Sequence, residues 1–390
     1  MTVRTGLERF IEDCERGARA GARVGLVCNP ASVDSRLRHA ADLLRRSTRV
    51  RLNALFGPQH GFRSNVQDNM IETPHAADER RRVPVYSLYS DTRQPDAHML
   101  SDLDLLVIDL QDVGTRIYTY VYTMANCLRA AAAQGLQVIV CDRPNPIGGL
   151  AVEGAVLDPA YTSFVGQFPI PMRHGMTIGE LARLFNEEFG IGAPLDVVAM
   201  EGWRRDQFFD DTGLPWVMPS PNLPTLDSTI VYPGAVLFEG TVISEGRGTT
   251  RPFELIGAPW IDGERFAEAM NARGLPGAYF RAAFFQPTFQ KHAGDTCGGC
   301  QIHVLDRRAY EPVRSAVAMI EELRRESDGR FAWKSPPYEY EFERIPIDIM
   351  WGSDRLRTAI DAGATAEDVA ASWRDEVRAF EARRRPYLLY

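Results

Sequence analysis

Over the first half of the chain, uninterrupted apolar runs alternate with stretches of helical periodicity. Residues 23–28 (RVGLVC) read as a strand, followed by the loop Asn29-Pro30-Ala31-Ser32 and a helix through about residue 44. A second strand ends at Phe56, a third is expected over 84–88 and a fourth over 104–110. A long helix at 117–134 then precedes a fifth strand at 136–142. Strands that are apolar throughout, rather than at every second residue, are covered on both faces, and strands joined by helices run parallel. The pattern predicts an α/β fold built on a Rossmann-like doubly wound parallel sheet.

The pattern changes downstream. Thr177-Ile178-Gly179-Glu180 is a capping box, so a helix begins near residue 178. Residues 214–224 hold four prolines in eleven positions, which excludes a helix or central strand and predicts an ordered linker. Beyond it the pattern is mixed, with helical periodicity at 307–325 and 365–384. The expected domains are 1–213, carrying the parallel sheet, and 226–390, a smaller mixed α/β domain, joined by 214–225.

With 390 residues, 45% hydrophobic and 25% charged, the chain is long enough for two cores. Lys+Arg 44 against Asp+Glu 52 leaves a net charge of −8 and no long basic run, which gives nucleic-acid binding no support. No apolar span reaches bilayer length, and the opening residues lack a signal-peptide core. A cytoplasmic protein without membrane association is therefore expected. Six scattered cysteines fit a reduced compartment. Cys297-Gly298-Gly299-Cys300 has zinc-ribbon spacing but no second pair, and reads as a Gly-rich turn.

Candidate chemistry gathers in the loops that close the strands. Gly57-Pro58-Gln59-His60-Gly61-Phe62 follows the second strand, Asp109 to Arg116 follows the fourth, and Asp142-Arg143-Pro144-Asn145 follows the fifth. In an open parallel sheet these ends share one edge, where ligands bind. Taken singly, each acid has a structural reading: Asp112 caps a helix, Asp142 pairs with Arg143, and His60 caps a turn. As a set, acids clustered at one edge point to a site. Glycines suited to a dinucleotide pyrophosphate or a P-loop are missing, so no nucleotide cofactor is expected.

A second cluster runs from Glu239 through Ser244, Glu245, Arg247 and Thr249 to Glu254, with glycines on both sides of Arg247. A guanidinium fork there suits a carboxylate or sugar hydroxyls. His174 precedes the capped helix as an ordinary loop residue, and His292 and His303 lack metal-ligand spacing.

Three functions fit these residues. One is a sugar hydrolase with two carboxyls roughly 5–10 Å apart. Another is a metal-dependent hydrolase using His60, Asp109, Asp112 and Asp142, an oxygen-rich set without a zinc signature. The third is a non-catalytic sugar- or peptide-binding module.

Longer tracts carry a family likeness. GPQHGFR (57–63), VIDLQDVGTRIYTY (107–120), CDRPNPIGG (141–149), the run from Val152 to Asn186, PSPNLPT (219–225), YPGAVLFEGT (232–241) and SEGRGTTRPFELIGAPW (244–260) resemble the NamZ-type exo-β-N-acetylmuramidases. The likeness extends from about Val24 to the closing residues 386–390. It implies a Rossmann-like amino-terminal domain, a smaller carboxy-terminal α/β domain and a cleft between them. It also implies release of terminal N-acetylmuramic acid from peptidoglycan fragments, with a small sugar or muropeptide as substrate and no organic cofactor. Many relatives read Pro-Glu-His-Gly where this chain reads Pro58-Gln59-His60-Gly61. Glutamine keeps the shape of glutamate but cannot give or take a proton. The proton chemistry is therefore sought elsewhere, or the substrate acetamido group acts as nucleophile, or the chain binds or cleaves a different sugar. Glu245, Glu239, Asp112 and His60 stand as catalytic candidates. Gln59, Asp109, Arg116, Asp142, Arg143, Asn145, Arg247 and Thr249 are the expected substrate-binding groups, with Arg247 or Arg143 on the lactyl carboxylate.

Overall fold

The computed structural model describes residues 2–68 and 70–390. Its strands, in chain order, are β1 (Arg23–Cys28), β2 (Arg51–Gly57), β3 (Ala76–Asp78), β4 (Val83–Ser87), β5 (Leu105–Asp109), β6 (Gln137–Cys141), β7 (Glu153–Val156), β8 (Pro171–Arg173), β9 (Leu195–Val198), β10 (Leu255–Ala258), β11 (Ala278–Phe285) and β12 (Cys297–Val304). The helices are α1 (Gly6–Glu15), α2 (Ala40–Arg46), α3 (Ala97–Leu100), α4 (Tyr120–Gln134), α5 (Ile178–Glu187), α6 (Leu226–Ala235), α7 (Gly263–Ala272), α8 (Pro312–Glu326), α9 (Pro346–Trp351), α10 (Arg355–Asp361), α11 (Ala366–Ser372) and α12 (Arg374–Arg384).

Seven strands form one sheet in the order β3-β4-β2-β1-β5-β6-β9, all parallel except for the antiparallel edge strand β3. Alternate residues of its central strands feed two separate cores, as the period of two requires. Val27, Leu106, Ile108, Val138 and Val140 point into one apolar cluster. Leu26, Cys28, Leu105, Val107, Ile139 and Cys141 point into the other, together with Leu7 and Phe10 of α1 and Leu44 of α2. This two-sided burial is why the strands are continuously apolar. The chain winds one way from β1 through β2 to β4, then restarts at β5 on the other side of β1. Such a reversal opens a crevice at the carboxyl edge of the sheet.

The second half adds a three-stranded antiparallel sheet, β10-β12-β11, and the first apolar cluster continues into it through Ile256, Phe266, Val313 and Trp351. Cys297 to Cys300 lies within β12, not in the expected turn, and all six cysteines are buried free thiols. The two glycines are there for backbone approach: a Cβ on Gly299 would stand 2.0 Å from the Ile256 carbonyl oxygen. The chain then returns to its own beginning. The Tyr390 hydroxyl donates to Asp142 Oδ2 at 2.7 Å and accepts from the Met200 amide at 2.6 Å.

Two local expectations differ. The helix expected after Ser32 starts only at Ala40, because Asp34 Oδ1 accepts from the amides of Arg36 and Arg38 and holds that stretch as a turn. The periodic segment at 365–384 is broken at Trp373 into α11 and α12. Among the described residues no helix is long and apolar enough to cross a membrane.

Candidate active site

The loop after β2, the amino end of α4 and the proline-rich segment meet two pieces of the second half, the 239–247 loop and a strap at 338–341. They enclose a cavity of about 40 Å³, lined by Gln59, His60, Thr119, Asn222, Glu239, Arg247, Tyr338 and Glu339 among others. The proline-rich segment carries no helix or strand and contributes Ser220 and Asn222 to the wall. The Pro219 carbonyl accepts from Asn29 Nδ2 at 2.7 Å and from the Tyr120 hydroxyl at 2.8 Å, which pins the segment to the sheet edge.

One wall of the cavity is organised by Gln59. The Thr119 hydroxyl donates to Gln59 Oε1 at 2.7 Å, and Gln59 Nε2 donates to Glu339 Oε1 at 3.1 Å. These partners fix which end of the amide is which. The Tyr89 hydroxyl donates to the other Glu339 oxygen at 2.8 Å. Burial raises the Glu339 carboxyl above its ordinary value, and neighbouring Glu239 adds to the rise against the pull of the Tyr89 and Gln59 donors. His60, beside Gln59, has left-handed backbone (φ 69°) and gives its Nδ1 proton to the Val66 carbonyl at 2.8 Å. Burial, helped by the Arg247 charge, lowers this imidazole to about 4, so it is neutral with Nε2 as acceptor.

The opposite wall is an ion-pair cluster. Arg247 Nε and Nη2 both donate to Glu239 Oε1, at 3.0 and 2.5 Å, while the Tyr338 hydroxyl donates to Glu239 Oε2 at 2.8 Å. Gly246 and Gly248 make this possible: both are left-handed (φ 77° and 80°), and a Cβ on Gly248 would meet the Phe289 carbonyl oxygen at 2.6 Å. Glu245 lies behind this pair, 3.5 Å from Arg247 Nε and 2.7 Å from Lys291 Nζ. Burial pushes the Glu245 carboxyl up, but the Lys291 and Arg247 charges outweigh it and hold the group below its ordinary value. Arg247 itself opposes burial with two carboxylates and is raised. Its remaining nitrogen, Nη1, is buried without a hydrogen-bond partner. An unpaired guanidinium donor on a cavity wall is costly unless a ligand takes it.

Of the residues expected from the sequence, Gln59, His60, Glu239 and Arg247 are brought together around this cavity. The others are engaged elsewhere. Arg143 clamps Asp109 through Nε and Nη2 at 2.6 and 2.7 Å, and reaches the Val33 carbonyl at 2.9 Å. Asp142 accepts from the Gly179 amide and the Thr177 hydroxyl, so it caps α5. Burial lifts it to about 7, and the nearby Glu180 adds to that rise. Asn145 bridges the Ile147 amide and the Met176 carbonyl. Arg116 is fully buried and donates to four carbonyls, those of Ala155, Ile170, Met350 and Trp351. Asp112 Oδ2 takes the Gly114 amide at 2.8 Å and lies 3.3 Å from His174 Nε2. Thr249 closes its own turn on the Gly246 carbonyl. The strand-end charges thus bind loops to one another instead of facing one crevice. Two carboxylates sunk between sheet and helices need such partners, and the chain supplies them. The set His60, Asp109, Asp112 and Asp142 is not assembled, and no cluster of His, Cys, Asp and Glu suited to a metal ion occurs among the described residues.

Sequence reasoning missed Glu339 and Tyr338. The available signal was the run Pro336-Pro337-Tyr338-Glu339-Tyr340-Glu341, where acids and aromatics alternate directly after a stiff Pro-Pro step.

Comparison with known proteins adds the following. Residues 24–227 match the family model of the amino-terminal domain of exo-β-N-acetylmuramidase NamZ, and residues 230–390 match that of its carboxy-terminal domain. The chain is 46% identical over 389 residues to the peptidoglycan β-N-acetylmuramidase NamZ of Bacillus subtilis (strain 168), covering 100% of this chain and 91% of that protein. Two DUF1343 family proteins of Bacteroides fragilis NCTC 9343 with solved structures share the fold across the whole chain and 99% of their own. One has a TM-score of 0.90 at 34% identity, the other 0.78 at 28%.

Proposed function

The chain belongs to the NamZ exo-β-N-acetylmuramidase family, and we propose that it is a glycoside hydrolase releasing N-acetylmuramic acid from the non-reducing ends of peptidoglycan fragments. The observation that carries this reading is the cavity itself. Two buried glutamates, Glu239 and Glu339, line it together with a neutral histidine and a guanidinium that has one free donor. Glycosidases work through two carboxyl groups flanking the scissile bond.

The assigned roles follow from the partners. Glu239, held by Arg247 and Tyr338, faces the sugar as a carboxylate that stabilises positive charge developing at the anomeric carbon. Arg247 Nη1 takes the lactyl carboxylate, the group that distinguishes a muramic acid from a glucosamine. His60 Nε2 and Asn222 accept and donate to ring hydroxyls or the acetamido group. Glu239 and Glu339 both come from the second half of the chain, while Gln59, His60 and Thr119 come from the first.

The test uses purified protein and two disaccharides, one with N-acetylmuramic acid at the non-reducing end and one with N-acetylglucosamine there. Mass spectrometry should detect N-acetylmuramic acid from the first and no monosaccharide from the second. No release from the first, or equal cleavage of both, overturns the reading.

A further inference from the structure

We propose that Glu339 is the general acid that protonates the departing glycosidic oxygen, and that Gln59 is the positioning residue that holds it. This rests on the glycosidase reading above. Hydrolysis requires a proton for the leaving sugar hydroxyl, and the loop at 57–62 offers an amide that cannot supply one. The amide instead reaches across the cavity: Thr119 fixes Gln59, and Gln59 fixes Glu339 Oε1. The acidic proton is then left to Oε2, beside a Tyr89 hydroxyl that can donate or accept.

The other acids of the neighbourhood are committed. Arg247 occupies Glu239 through two of its nitrogens. Glu245 is tied to Lys291 and does not line the cavity. His60 has its one proton on the Val66 carbonyl. Burial raises the Glu339 carboxyl above its ordinary value, the direction that favours the protonated form an acid catalyst needs.

The backbone supports the same assignment. Glu339 and Tyr340 both have left-handed φ, 44° and 69°, a conformation that residues other than glycine adopt only where the surroundings impose it. Those surroundings are present. The Arg93 guanidinium lies 4.3 Å from the Tyr340 ring and 4.5 Å from the Tyr89 ring, and Arg344 donates to the Ala160 and Thr162 carbonyls at 3.1 and 3.0 Å. Strain held in place at a cavity wall, with the acid at its centre, is the arrangement of a positioned catalytic group.

In the step, the Glu339 O–H proton passes to the glycosidic oxygen as the C1–O bond breaks and its electron pair leaves with that oxygen. Water then adds at C1, directly or after transient closure by the acetamido oxygen, and its proton returns to the Glu339 carboxylate.

The experiment compares wild type and Glu339→Gln on two N-acetylmuramyl glycosides: one with a sugar leaving group, one with 4-nitrophenolate, which departs without a proton. The variant should lose roughly 10²–10⁴-fold in kcat on the sugar glycoside and less than about tenfold on the aryl one. Its basic limb of kcat/KM against pH should vanish. Equal losses on both substrates, or an intact basic limb, overturn the assignment. Gln59→Ala serves as the second variant: it keeps the acid but removes a donor to its ionised form, so the basic limb should move to higher pH with kcat lowered and KM little changed. An unmoved limb there also overturns it. Failure of wild type to cleave either glycoside would instead strike the glycosidase reading itself.

Discussion

Gln59 and Glu339 stand 280 positions apart in the chain and meet through a 3.1 Å hydrogen bond across the cavity. That bond joins the loop after β2 to the strap of the second half, so the site is complete only when both halves are in place. Placing an acid at position 59 sets two carboxyls side by side, and both cannot ionise easily. Gln59→Glu should therefore raise the apparent pKa of the pair and move the basic limb of the pH–rate profile upward. Kinetics from pH 4 to 9 will show it; a limb at its wild-type position contradicts the contact.

Arg247 has one free nitrogen and two carboxylates to neutralise. Removing it outright leaves buried charges unpaired, at a cost of about 3–5 kcal/mol, so the informative variant is Arg247→Lys. It keeps a positive charge but loses the planar set of donors. On muramyl glycosides kcat/KM should fall roughly 10–100-fold, equivalent to about 1.4–2.7 kcal/mol, with a smaller loss on glycosides lacking the lactyl ether. Equal losses on both would remove Arg247 from lactyl recognition.

Burial raises Asp142 and Glu153 to about 7 each. In the folded protein these acids keep protons that the unfolded chain releases near pH ~4. Their contribution to stability is full below that value and is lost as pH climbs through about 7, so stability falls between pH 5 and 8. For Asp142 the swing is at most about 4 kcal/mol. Asp142→Asn combined with Glu153→Gln should flatten the fall, measured as urea midpoints at pH 5 and 8. A parallel decline in wild type and variant would rule these acids out as its source.

Arg116 holds the β7–β8 hairpin to the end of α9 through four carbonyls and no carboxylate. Arg116→Met should cost at least about 4 kcal/mol of unfolding free energy, since it orphans four buried carbonyls at about 1–3 kcal/mol each. Chemical denaturation at fixed pH is the measurement. A loss under about 1 kcal/mol would mean that water or neighbouring amides replace the guanidinium.

The parallel sheet was legible because local composition decides it: β1 occupies the expected 23–28, and β5 and β6 lie within one residue of the expected bounds. The capping box at Thr177 and Glu180 is also formed as read. Helix α1 was missed although Thr5 and Glu8 form a capping box of the same kind. The site was half legible. Arg247 between its glycines and the Pro-Gln-His loop announce themselves by residue type, and Arg247, Gln59 and His60 line the cavity. Asp109, Asp142 and Arg143 looked equally functional because a buried structural ion pair and a catalytic one have the same composition. Glu339 was hidden for the opposite reason: its importance lies in a fold-back that brings residue 339 to residue 59, and no local period records that path.

The strap that carries Glu339 also closes the chamber. Its Tyr338 and Glu339 line the cavity together with Gln59, His60 and Thr119 of the first half, so a chain cut within 214–225 would leave each fragment with only part of the lining.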